Sequence, residues 1–163
     1  MLFIQHELQR TAQNLVADNI KNDEHVLIVS SSDQSKELID AFVSAASSTS
    51  AASVSAIIIA CPEDLKDYKH PPSVIASVEK ADLTIVATTL RFPRAYDDLS
   101  EALFKAGKRQ VLINNAPLED FTRGASLADP IKLNRRTHEL AEKISEGKMV
   151  RVKSENGTDL CVK

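Results

Sequence analysis

Apolar and polar positions follow two different periods along this chain. Three short apolar runs each end on small polar residues: His25-Val26-Leu27-Ile28-Val29-Ser30-Ser31-Ser32, Leu83-Thr84-Ile85-Val86-Ala87-Thr88-Thr89 and Gln110-Val111-Leu112-Ile113-Asn114-Asn115. Continuous aliphatic runs of this length predict strands buried on both faces, as in a parallel sheet. Their polar ends then gather hydroxyls and amides at one edge, where open α/β sheets place ligands. Another run, Val54 to Ala60, predicts a further strand that Cys61-Pro62 stops.

Helical spacing fills the intervals. Ile4, Leu8, Ala12, Leu15 and Ile20 predict an amphipathic helix at the start. Ser32 or Asp33 is expected to cap the next helix, which carries Leu38, Ile39, Phe42 and Val43. The Ser- and Ala-rich stretch Ser44 to Ser55 reads as a helix end plus a loop. Pro71-Pro72 opens a short helix through Val74, Ile75 and Val78. A helix from Ala95 to Ala106 is expected to stop at Gly107, which tolerates positive φ. Pro117 to Arg123 reads as a short helix ending at Gly124. Asp129-Pro130 starts a long helix, with Leu133, Thr137, Leu140, Ala141 and Ile144 on one face and Gly147 at its end.

The last segment changes period. Met149 to Lys153 and Thr158 to Val162 flank Asn156-Gly157, the strongest short hairpin signal. A lone two-stranded ribbon is marginal in water, so more chain is expected after Lys163. The expected fold class is therefore α/β. It is a three-layer, Rossmann-like arrangement with a mostly parallel open sheet of about four or five strands and helices on both faces. The expected strand order is 2-1-3-4, with residues 1–148 forming this domain and residues 149–163 the hairpin.

Composition narrows the class. A chain of 163 residues with 43% hydrophobic and 26% charged residues can bury a core, and the absence of Trp makes that core aliphatic. A net charge of −3 gives no electrostatic reason to bind nucleic acid or an acidic membrane. Met1-Leu2-Phe3-Ile4 is too short for a signal sequence, and two isolated thiols suit a reducing compartment, so a cytoplasmic location is expected.

No motif names a reaction. The four glycines, Gly107, Gly124, Gly147 and Gly157, all lie far from the first strand, so no phosphate loop follows it. Asp33 in that turn would also set a negative charge where a phosphate would sit. His6, His25, His70 and His138 show no metal-ligand spacing, and His138 reads as a surface or boundary residue. Cys61 has no basic neighbour in sequence to form a thiolate and reads as a small buried hydrophobe. The triplet Ser30-Ser31-Ser32 suits helix capping better than nucleophilic attack. Arg91 and Arg94 flank Phe92-Pro93 at the carboxyl edge of the third strand, where guanidinium forks grip anions. With Ser31, Thr88 and Asn114 they form the candidate ligand-binding set, whose occupant would be an anionic metabolite. No residue is assigned a catalytic or metal-binding role.

Several segments carry a resemblance. They are Lys80-Ala81-Asp82-Leu83-Thr84-Ile85, Lys105-Ala106-Gly107-Lys108-Arg109, Arg123-Gly124-Ala125 with Ala128-Asp129, and Val150-Arg151-Val152 through Gly157-Thr158-Asp159-Leu160. Thr137, Leu140 and Ala141 fit the helix between the last two, and Asp23-Glu24-His25-Val26-Leu27-Ile28 fits the first strand with a glycine lost. Together they resemble the amino-terminal domain of the aminopeptidase T type of thermophilic leucyl aminopeptidase. That superfamily also holds the dihydroxypyridine dioxygenases. Ser44 to Pro72 departs from it by lacking glycines before the second strand.

The resemblance implies a metal-dependent aminopeptidase or ring-cleaving dioxygenase relative whose divalent metal is held by a second domain after the hairpin. This chain would then be a non-catalytic amino-terminal domain, inactive alone, that forms one wall of the cleft and supports assembly. Its partners would be a carboxyl-terminal catalytic domain of the same protein and a second copy in a homodimer. The residues themselves leave two alternatives: a stand-alone small-molecule-binding domain, or a dimerisation module using the exposed edge Thr158 to Val162.

Overall fold

The computed structural model describes residues 2–61, 68–89, 98–114 and 117–162. The order is α1 (Leu2–Val16), β1 (His25–Ser31), α2 (Lys36–Ser47), β2 (Ser53–Ile59), α3 (Pro72–Lys80), β3 (Leu83–Thr88), α4 (Asp98–Lys105), β4 (Arg109–Asn114), α5 (Pro130–Glu146), β5 (Val150–Lys153) and β6 (Asp159–Val162). Residues 1–127 and 128–163 form two compact units.

The first unit is built on a parallel sheet of order β2-β1-β3-β4. This is the strand order expected from the sequence. All six residues of β3 are buried, and so are Val26 to Ser31 of β1, because helices cover both faces. Alternation sorts the side chains into two cores. Val26, Ile28, Leu83 and Ile85 pack with α1, α2 and Phe121 on one face. Leu27, Val29 and Val86 pack with α3 and α4 on the other. In the first core the Phe42 and Phe121 rings meet edge to face at 5.6 Å.

The amino edge of the sheet is laced by charge. The Asp82 carboxylate accepts the His25 backbone N–H at 3.0 Å and pairs with Lys108 at 2.9 Å. Arg109 reaches Glu24 and the Asn19 carbonyl. Those bonds hold the Asp82 carboxyl below its usual range, the His25 amide first and Lys108 next.

Local differences from the expected elements have simple causes. Ser35 caps α2, its hydroxyl accepting from Leu38 N–H, because β1 runs on through Ser31 and pushes the helix start past Ser32 and Asp33. Pro117 to Arg123 forms only a short 3₁₀ turn, Leu118–Phe121, with a second at Gly124–Leu127. The expected helix start at Ala95 lies outside the described residues.

In the second unit, Asp129 caps α5 by accepting from the Ile131 and Lys132 amides. The hairpin pairs antiparallel with Val150 opposite Val162 and Val152 opposite Leu160. Its turn is wider than a two-residue Asn-Gly connection: Ser154 and Thr158 close it, and Gly157 takes φ 93°. The apolar face of α5 is exposed, with Leu140 at 59% and Leu133 at 55%.

Candidate functional site

β1 leads into α2 on one face of the sheet, and β3 leads toward α4 on the other. β1 and β3 are thus followed by helices on opposite faces, and their carboxyl ends mark the switch point where such sheets form a ligand crevice. A hydrogen-bond network crosses it. The Thr89 backbone N–H donates to Ser31 Oγ at 3.2 Å. The Ser31 hydroxyl lies 3.2 Å from Thr89 Oγ1, whose own proton goes to Asp33 Oδ2 at 2.5 Å. One step further out, Ser32 Oγ accepts from the Cys61 backbone N–H at 3.0 Å.

The electrostatics of this lip run against reactivity. The Thr89 hydroxyl, with Ser31 second, holds the Asp33 carboxyl below its usual range, so it is an ionised and weak base. The Cys61 thiol is pushed up, by desolvation first and then by the charge of Asp33. It therefore stays a thiol and not the nucleophilic thiolate. Cys61 is exposed, which corrects its reading as a buried hydrophobe. The cause is position: the residue lies beyond the last residue of a strand at the rim of the sheet.

A second polar cluster sits on the α3 and α4 side. The Asp98 carboxylate accepts the His70 backbone N–H at 2.9 Å and meets His70 Nδ1 at 2.6 Å. The imidazole is almost wholly buried, at 3% side-chain exposure, and the Tyr68 ring stands edge-on to it at 5.2 Å. Burial raises the Asp98 carboxyl, but the two His70 bonds outweigh it and hold the group low. Burial lifts the Tyr68 phenol, and so does the Asp98 charge.

The sequence-predicted set is only partly brought together. Ser31 is fully buried and sits in the switch-point network. Thr88 is 1% exposed, on the buried face of β3. Asn114 ends β4 opposite Thr88. Arg91 and Arg94 lie outside the described residues. The set lacked Thr89, which ties Ser31 to Asp33. Its only sequence signal was a second hydroxyl residue after Thr88 at the end of an apolar run.

The resemblance implies a divalent metal, and the described residues do not fit one. Among them no three of His, Cys, Asp and Glu stand together as ligands would. The His70 and Asp98 atoms bond each other directly, and Asp33 is engaged by Thr89. Among the described residues no helix is long and apolar enough to cross a membrane.

No curated protein matches the chain. The family model NicX, described as 2,5-dihydroxypyridine 5,6-dioxygenase, matches residues 7–163, which takes in the sheet, α5 and the hairpin. By that match the chain belongs to the 2,5-dihydroxypyridine 5,6-dioxygenase family.

Proposed function

We propose that this chain is the non-catalytic α/β domain of a dioxygenase-family protein, shaping one wall of a cleft whose metal is held by a separate domain. The observation that carries this reading is the switch-point network. Its hydroxyls are spent on Ser31, Thr89 and Asp33 themselves, and its titratable groups are tuned to stay an ionised carboxylate and a neutral thiol. A fixed polar surface of that kind orients a substrate from the side, and it supplies neither a base near neutral pH nor a nucleophile. Asp33 also repels anions at the lip, which counts against phosphate or carboxylate groups docking beside Ser31.

The test is turnover of 2,5-dihydroxypyridine and of a leucyl peptide by the pure chain with ferrous, cobalt or zinc ions added. No turnover above the metal-only blank is expected. Robust metal-dependent turnover by the chain alone would refute the reading.

A further inference from the structure

Among the described residues β2 is the open rim of the sheet, paired with β1 along one side and last in the strand order. A rim strand leaves a row of backbone N–H and C=O groups that invites another strand, and proteins blunt it with charge, proline, a bulge or brevity. β2 has none of these. Its seven residues, Ser-Val-Ser-Ala-Ile-Ile-Ile, carry no charge and no proline. Their register with β1 runs unbroken from His25↔Ser53 to Ser31↔Ile59. Ile58 is 58% exposed, whereas β4 at the opposite rim opens with Arg109 and Gln110.

We infer that a second copy of the chain pairs with this rim, β2 against β2, antiparallel about a twofold axis through Ala56. The strand is its own complement in that register. Ser53 faces the partner's Ile59, Val54 faces the partner's Ile58, and Ser55 faces the partner's Ile57. Ala56, the smallest side chain of the run, sits on the axis where two copies meet. Val54, Ala56 and Ile58 share one face, so the exposed Ile58 gains an aliphatic neighbour. No charge meets a like charge along the strand, and twofold pairing uses up the β2 rim of both copies.

Area sets the strength. Seven residues at about 3.3 Å each make a contact about 23 Å long. With Ile58 covered it buries on the order of 400 Å² per partner, half of the ~800 Å² that stable dimers use. The association is therefore weak and reversible. It leaves the crevice between β1 and β3 open and stands independently of the cleft reading.

Sedimentation velocity of the full chain from about 10 μM to 1 mM tests this. The expected result is a concentration-dependent shift from monomer to dimer. Ile58→Lys and Ser55→Lys should each weaken dimerisation at least tenfold and leave the urea midpoint unchanged, since both positions are exposed in the monomer. In a Cys61→Ser, Cys161→Ser background, Ala56→Cys should cross-link two copies under mild oxidation and Ser53→Cys should not. A chain that stays monomeric throughout would overturn the inference. So would a dimer that survives Ile58→Lys but dissociates with Leu160→Lys, which would place the contact on the hairpin.

Discussion

Thr89→Val removes one hydroxyl and keeps the shape of the side chain. That hydroxyl donates to Asp33 at 2.5 Å and stands 3.2 Å from the Ser31 hydroxyl. A hydrogen bond to a buried charge contributes about 1.5–3 kcal/mol, but Asp33 is exposed, so the first bond is discounted to about 1 kcal/mol. The longer neutral bond adds about 0.5 kcal/mol, giving a loss of about 1–2 kcal/mol. With a urea slope of about 2 kcal/mol/M, the midpoint should fall by about 0.5–1 M. The loss should depend on pH in one direction. A carboxyl whose folded pKa is depressed contributes stability that is present above its ordinary value of 3.8 and lost as pH falls through the folded value. The wild type and Thr89→Val should therefore differ by a constant amount at neutral pH and converge in acid. A double-mutant cycle with Asp33→Asn should return most of the difference as coupling. Urea unfolding followed by circular dichroism reads all of this. A loss below about 0.3 kcal/mol, or one that stays the same well below pH 3.8, would refute the account of the crevice.

Three further outcomes are expected. Phe42→Ala should cost about 3–5 kcal/mol in unfolding free energy, because a fully buried ring leaves a cavity against Phe121. Asp98→Ala should cost about 2–3 kcal/mol by the same urea unfolding assay, since it removes the acceptor that the buried His70 ring and amide share, while Asp98→Asn should cost less. Alkylation of Cys61 by iodoacetamide near neutral pH should be slower than that of a free thiol and should speed up in Asp33→Asn, as measured by mass spectrometry of the labelled peptide.

Much of the sheet was legible because its signals are local. The aliphatic runs at Val26, Val54, Leu83 and Val111 are each a strand, and Pro72, Gly107, Asp129 and Gly147 mark helix ends where the chain places them. What failed lay outside the local pattern. Cys61 read as buried because free thiols usually are, and its place beyond the end of a rim strand exposes it. The Ser31–Thr89–Asp33 network was half visible: Ser31 stood out as the polar end of a run, but its partner is 58 residues away. His70 and Asp98 are 28 residues apart, with no spacing rule to join them. Hydrogen bonds that cross a parallel sheet leave no periodic trace in the chain that makes them.

The place of β1 at the centre of the sheet has a consequence for the nascent polypeptide. A ribosome that has released β1, α2 and β2 has produced only one flank of the scaffold, and the other side of β1 has no neighbour until β3 arrives. At ordinary translation speeds that interval lasts a few seconds, far longer than hydrophobic collapse takes. Synonymous codons that slow elongation between β2 and β3 should therefore lower soluble yield more than the same codons placed after β4.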